Sequence, residues 1–333
     1  MSALFQPAAT RTLPAASDAT STARPFLKWA GGKRQLLPRL REFYPPTFGA
    51  YYEPFIGSGA VFFDLVASGR LDGHRARLAD SNVDLIGCYR RVQDETEAVI
   101  ERLRRLAAAH TRDPDAHYYR TRDRKFNPAR QQLLNGNGHG AASYSADLAA
   151  MLIYLNRTGF NGLFRLNAKG MFNVPLGRYT NPKICDPDNL REVARMLSRP
   201  GVSIRSAPYE ETLESANPGD FIYFDPPYAP LSTTARFTSY TPQGFSSNDQ
   251  VQLQHTVVRL ADHGCRVLLN NSTAPDVAAL YDGNAAALGA GLKAYTIPAR
   301  RAINSVARRR GAVMEYVITN IPEHAQRDAP SCR

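Results

Sequence analysis

The stretch Ala50-Tyr51-Tyr52-Glu53-Pro54-Phe55-Ile56-Gly57-Ser58-Gly59, with the residues just after it, decides the fold. Residues 50–53 read as a short strand, the glycines as a loop, and the apolar run through Val66 as a helix. A second strand over 75–79 ends at Asp80, and a helix starts at Asn82. Strand, glycine loop, helix, strand and terminal acid in this order are the expectation for a nucleotide-binding α/β sheet. The loop departs from the dinucleotide fingerprint, because Phe62 stands where a third Gly or Ala is required. Its amides, at the start of a helix, can face a carboxylate. Asp80 is placed to accept from ribose hydroxyls, with a turn or helix-cap role as the equal alternative.

Working outward, a short helical pattern over 35–42 precedes the stretch. Downstream the texture changes: 95–109 reads as a basic helix, 135–145 as a Gly-rich loop, 146–155 as a helix and 156–181 as irregular chain. Residues 101–131 carry nine bases against four acids. Strand patterns then resume at 202–205, 221–224 and 266–269, with a helix over 248–261 and closing strands at 292–297 and 313–319. A sheet begun before residue 90 and resumed after 200 makes the middle an insertion.

The chain has 333 residues, of which 43% are apolar, enough to bury a core and to exclude disorder throughout or a disulfide-stapled miniature. Its net charge is +11, and only six of the 41 bases are Lys. That excess argues for an anionic partner, and Arg forks match phosphates and base edges better than Lys does. Cys88, Cys185, Cys265 and Cys332 show no zinc-like spacing, so no metal is expected, and reduced thiols point to a cytoplasmic setting. No apolar run approaches the roughly 20 residues of a membrane span. Residues 1–24, rich in Ala, Thr, Ser and Pro, read as a disordered tail.

The strongest local chemistry is Asp225-Pro226-Pro227-Tyr228, directly after the apolar strand Phe221-Ile222-Tyr223-Phe224. Two prolines fix φ and remove two backbone donors, leaving a stiff chain with carbonyls able to accept. An exocyclic amino group has two N–H donors, which Asp225 and the Pro226 carbonyl can take while Tyr228 stacks on the attached base. Open α/β sheets put their ligands at such strand ends. A proline-stiffened turn is the bland alternative.

Five motifs stand in one order: Phe26-Leu27-Lys28-Trp29-Ala30-Gly31-Gly32-Lys33, Glu53-Pro54-Phe55-Ile56-Gly57-Ser58-Gly59, Asn156-Arg157-Thr158-Gly159-Phe160-Asn161-Gly162-Leu163, Phe172-Asn173-Val174-Pro175 and Asp225-Pro226-Pro227-Tyr228. In this order the chain resembles the Dam-family DNA adenine methyltransferases from about residue 25 to 320, with Arg301-Ala302-Ile303-Asn304 and Glu315-Tyr316-Val317-Ile318 near the end. The resemblance implies a Rossmann-like S-adenosylmethionine-dependent methyltransferase sheet (25–93 and 200–322) with an inserted, mainly helical DNA-recognition domain (94–199) and a C-terminal tail (323–333). It implies S-adenosylmethionine as cofactor, double-stranded DNA as partner, and methylation of the adenine N6 amino group, with GATC as the target and a place in DNA methylation or restriction-modification. By the same resemblance, Asp225, Pro226, Pro227 and Tyr228 are catalytic. Trp29, Lys33, Phe55, Gly57, Gly59, Asp80 and Asp225 line the cofactor. Lys28, Phe160, Asn161, Leu163, Arg165, Pro175 and Tyr179 face DNA, with Phe160 as a wedge in the base stack.

Three positions depart from the common pattern of the family: Met171 where many members have Glu, a bulkier Phe164, and Leu176 in place of an aromatic. The rival readings are an RNA adenine or cytosine methyltransferase, an inactive DNA-binding relative and a dinucleotide oxidoreductase. Asp rather than Ser before Pro-Pro-Tyr disfavours cytosine, and the retained Asp225 and glycine loop disfavour inactivity.

Overall fold

The computed structural model describes residues 23–29, 31–135, 140–228, 245–300 and 312–322. Most of the N-terminal tail, the C-terminal tail, part of the Gly-rich loop and the 301–304 motif lie outside these residues. Among the described residues seven strands form one sheet: β1 Tyr51–Glu53, β2 Ala76–Asp80, β3 Val202–Ser206, β4 Phe221–Phe224, β5 Arg266–Ser272, β6 Lys293–Arg300 and β7 Ala312–Thr319. Their order is β3-β2-β1-β4-β5-β7-β6. The first five run parallel, and β7 is antiparallel to both β5 and β6.

Strand β4 shows why the sheet is central. All four of its residues are buried, with Phe221 and Tyr223 in one core cluster and Ile222 and Phe224 in the other. A period of two with both faces apolar is what a strand covered by helices on each side requires.

The helices are α1 Leu37–Leu40, α2 Ala60–Ala67, α3 Val83–Asp94, α4 Thr96–Arg112, α5 Pro114–Thr121, α6 Asn127–Asn135, α7 Ala146–Thr158, α8 Pro187–Leu197, α9 Tyr209–Leu213, α10 Ser247–Asp262, α11 Pro275–Tyr281 and α12 Ala285–Gly289. Local chemistry fixes several starts. The Asn82 side chain accepts from the Leu85 amide at α3, Ser145 accepts from Leu148 at α7, and Ser246 with Asp249 forms a capping box at α10. Helices α5, α6, α8, α9, α11 and α12 go beyond the sequence expectation. In α8 the buried Leu190, Val193, Met196 and Leu197 follow helical spacing, a pattern that was available in the sequence.

Between β2–α3 and β3 the chain leaves the sheet for α4 to α8. Their apolar faces (Val99 and Leu103 of α4, Leu152 and Leu155 of α7, Leu190 and Val193 of α8) share one core cluster with Tyr51, Leu78 and Phe221 of the sheet. Residues 159–177, expected to be irregular, form a small hairpin. Isolated bridges pair Gly159 with Leu176 and Leu166 with Phe172, and the Asn167 carbonyl accepts from Gly170 at 2.8 Å across the tip.

Candidate active site

Asp225 leaves the C-terminal end of β4 with its Oδ1 2.8 Å from Lys33 Nζ. Lys33 is 3% exposed, donates to the Gly31 carbonyl at 2.6 Å, and stands 4.7 Å from the Tyr228 ring centre. The Tyr228 hydroxyl donates to Glu315 Oε2 at 2.7 Å, and that oxygen lies 4.0 Å from Lys33 Nζ. A buried ammonium thus stands between two carboxylates, the arrangement a desolvated cation needs. Topology explains the meeting. Parallel strands end together at one edge, while the antiparallel β7 starts there, so Glu315 pairs with Ser272 at the end of β5.

Burial pushes the Asp225 carboxyl up to about 6, against the pull of Lys33, which leaves it ionised at neutral pH. Burial pushes the neighbouring Glu53 to about 8, although the Tyr51 hydroxyl donates to it at 2.8 Å. Glu53 is therefore mostly protonated at neutral pH, and one full negative charge at the end of β4 is Asp225.

Beside this edge lies the glycine loop. Gly59 has φ +68° and precedes α2; a Cβ there would stand 2.9 Å from the Tyr89 hydroxyl, so both backbone and packing demand glycine. The Trp29 indole lies over Gly57, where a Cβ would approach its Cδ1 to 3.1 Å. Asp80 closes the loop: its Oδ2 accepts from the Gly57 amide at 3.2 Å and its Oδ1 from the Asn82 amide at 2.9 Å. Burial raises its pKa to about 6, with those two amides pulling it down. Phe55 stacks on Tyr209 at 5.3 Å. Lys33 and Asp225, both expected to line the cofactor, are in contact with each other.

The third group of expected residues lies on the 159–177 hairpin and on the chain segments beside it. Asn156, 1% exposed, accepts from the Lys28 amide and donates to the Lys28 carbonyl, both at 2.7 Å, and donates to the Gly162 carbonyl at 2.8 Å. Lys28 Nζ sits 4.0 Å over the Tyr179 ring. Phe160 is 44% exposed, which excludes a core role, and its amide donates to the Pro175 carbonyl at 2.8 Å. Asn161 has φ +54° and is solvent-facing, as is Pro175. Leu163 packs partly against the core. Arg165 is half-buried, with Nε donating to Asn173 Oδ1 at 2.8 Å. Phe164 stacks on Trp29 at 5.6 Å and is buried, so its bulk joins this hairpin to the glycine loop.

A family model, that of the D12 class N6 adenine-specific DNA methyltransferases, matches residues 29–302. The chain belongs to this family. The methyltransferase is 38% identical over 300 residues to the type II methyltransferase M1.LlaDCHI of Lactococcus lactis subsp. cremoris, across 89% of this chain and 95% of the relative. It is 35% identical over 308 residues to the type II methyltransferase M.MjaIII of Methanocaldococcus jannaschii, across 89% and 99%. With the DNA adenine methylase of Escherichia coli it shares 34% over 248 residues, across 74% and 80%. The enzyme therefore methylates adenine N6 in DNA, and methyltransferases of its family use S-adenosylmethionine. Among its described residues no helix is long and apolar enough to cross a membrane.

The methyltransferase also holds site residues that the sequence reading did not single out. Glu315 stood only inside a resemblance motif, and Gln250, whose Nε2 donates to the Pro227 carbonyl at 3.0 Å, lay in an ordinary helical pattern. Of the nine bases in 101–131, Arg102, Arg105, Arg122 and Arg130 pair with Asp147, Glu101, Asp123 and Asp84, which reduces the number free to meet phosphates.

Proposed function

We propose that the methyltransferase acts on adenine in duplex GATC, flipping the base out of the helix because the amino group cannot be reached inside it. Asp225 Oδ2 and the Pro226 carbonyl accept the two amino hydrogens and leave the nitrogen lone pair directed away from them. The amino lone pair is delocalised into the ring, so this pyramidal arrangement and its alignment supply the rate. Tyr228 stacks on the flipped base. The observation that carries the reading is the rigid Asp225–Tyr228 turn at the sheet edge, where among the described residues none donates to the Pro226 carbonyl.

Trp29, Phe55, Gly57, Gly59 and Asp80 hold S-adenosylmethionine, with Lys33 and Asp225 at the border of its site. The support is the glycine loop beneath the Trp29 indole at the start of α2 and the lone pairs of Asp80 that the two amides leave unused. When bound, the cofactor supplies an electrophilic methyl on a sulfonium. The 94–199 segment recognises DNA, with Phe160 supporting the opened stack and Arg165 donating to a guanine. Relatives named type II methyltransferases align over nearly their whole length, which favours a modification role paired with a restriction activity.

Tritiated-methyl transfer to GATC duplex, to the same duplex carrying N6-methyladenine, to a duplex lacking GATC, and to RNA tests this reading. Label is expected in the unmethylated duplex alone. Equal label in RNA, or in duplexes lacking GATC, overturns it.

A further inference from the structure

Two successive prolines deprive the Asp225–Tyr228 turn of the backbone donors with which a loop ordinarily holds itself in place. The rings fix φ but leave ψ free, so the direction of each proline carbonyl has to be set from outside. At Pro227 the structure contains such a support. Gln250 Nε2, from α10, donates to the Pro227 carbonyl at 3.0 Å. Gln250 Oε1 accepts from Asn271 Nδ2 at 2.9 Å, and Asn271 Oδ1 accepts from the Ser272 amide at 2.8 Å. Gln250 is 1% exposed and Asn271 fully buried.

The chain has a direction. A backbone amide can only donate and a proline carbonyl can only accept, so each side-chain amide between them admits one orientation. Solvent does not reach either group, and reversing one amide would set donor against donor and acceptor against acceptor. The end of β5 is thereby coupled rigidly to the turn that follows β4.

We propose that Gln250 is a positioning residue for methyl transfer: by occupying and orienting the Pro227 carbonyl it leaves the Pro226 carbonyl as the one that receives the adenine amino group. This rests on the reading of Asp225 and Pro226 as the acceptors of that group. Gln250 acts through the turn and does not touch the base.

The experiment uses the full-length enzyme with Gln250→Leu, which removes the donor, and Gln250→Glu, which keeps the size and accepts at both ends when ionised. Single-turnover methyl transfer is measured at saturating cofactor and duplex, beside cofactor and duplex affinities, melting temperature, and 2-aminopurine fluorescence at the target base. Misplacement of a reacting group by about 1 Å costs on the order of 100-fold, and the transfer rate is expected to fall by about 10- to 100-fold. Both affinities and the flipping signal are expected to stay within about twofold of wild type, on the same scale of reasoning. A variant that melts far below the wild type is set aside in favour of the other. Rates within twofold of wild type in the folded variants overturn the proposal, as does a loss matched by weaker binding or flipping. Asp225→Ala in the same assay separates the two readings. If Asp225→Ala is inactive and Gln250→Leu is not impaired, only the role of Gln250 fails; if Asp225→Ala keeps wild-type turnover, the underlying site assignment fails with it.

Discussion

At the C-terminal edge of β4, Lys33, Asp225, Tyr228 and Glu315 satisfy one another behind limited exposure, whereas the neighbouring hairpin and the chain just after it turn Phe160 and Tyr179 toward solvent. The first region holds charges in fixed mutual positions before any substrate arrives. The second holds its backbone firmly, through Asn156, the Phe160–Pro175 hydrogen bond and the Gly159–Leu176 bridge, and leaves its side-chain ends unspent. The proposed chemistry calls for preorganised electrostatics, while the DNA-reading role proposed for the hairpin needs surface still to be buried. Two contacts keep the regions in register: Trp29 on Phe164, and Lys28 with Asn156.

Substitutions in the two regions should therefore fail differently. The largest effect belongs to Asp225→Ala: methyl transfer is expected to drop by at least about 10²–10³-fold, the scale of losing one preorganised electrostatic contact. Its fold should survive with a lower melting temperature, because Lys33 keeps Glu315 as a carboxylate neighbour. Near-wild-type single-turnover rates would remove Asp225 from the mechanism.

On the side proposed to read DNA, Arg165→Ala should relax the preference at a single base position by about 1–3 kcal/mol, the worth of a bidentate Arg–guanine pair. A uniform weakening on every sequence would instead mark a phosphate contact. Asn173→Ala, which frees the Arg165 fork, should give a smaller change at that same position.

Acidification tests the catalytic edge without mutation. The Asp225 carboxyl titrates near 6 and accepts only when ionised, so the transfer rate should be flat above neutrality and fall about tenfold per pH unit well below 6. A rate unchanged at pH 5 would contradict an ionised acceptor.

Salt probes the opposite surface. Duplex affinity should fall with a log–log slope of about −0.9 per neutralised phosphate. With Arg102, Arg105, Arg122 and Arg130 already paired to carboxylates, the slope should be shallower than nine contacts from 101–131 would give. Filter binding across a salt series decides this.

The smallest effect is on stability. Glu53 has a folded pKa of about 8, above the carboxylate range of an unfolded chain, so its contribution is fully present in acid and is lost as pH rises through 8. Glu53→Gln should raise the melting temperature more at pH 9 than at pH 6. Phe160→Ala, in contrast, should leave melting almost unchanged while lowering 2-aminopurine flipping, since its ring is already 44% exposed.

The strands and the Asp225 turn were legible because an apolar run, two prolines and two loop glycines are local signals. Lys33 and Asp225 entered one site through the resemblance alone, since a 3-10 turn ahead of the sheet carries no mark of where its side chain reaches. Glu315 depends on β7 entering antiparallel between β5 and β6, a choice of strand order that no local pattern encodes. The hairpin was hidden because side chains rather than alternation hold it: Asn127 exchanges two hydrogen bonds with the Phe172 backbone, and Asn167 caps the tip. Gln250 looked like any polar residue of an amphipathic helix.

Strand β7 closes the centre over a long sequence separation. Lys33 lies before the sheet and Glu315 on β7, yet both meet at Asp225 and Tyr228. Without β7 the Tyr228 hydroxyl would lack its acceptor and Lys33 would have one carboxylate instead of two. A chain cut between α12 and β6 would therefore keep the glycine loop and the Asp225 turn in its sequence and still lack a finished centre.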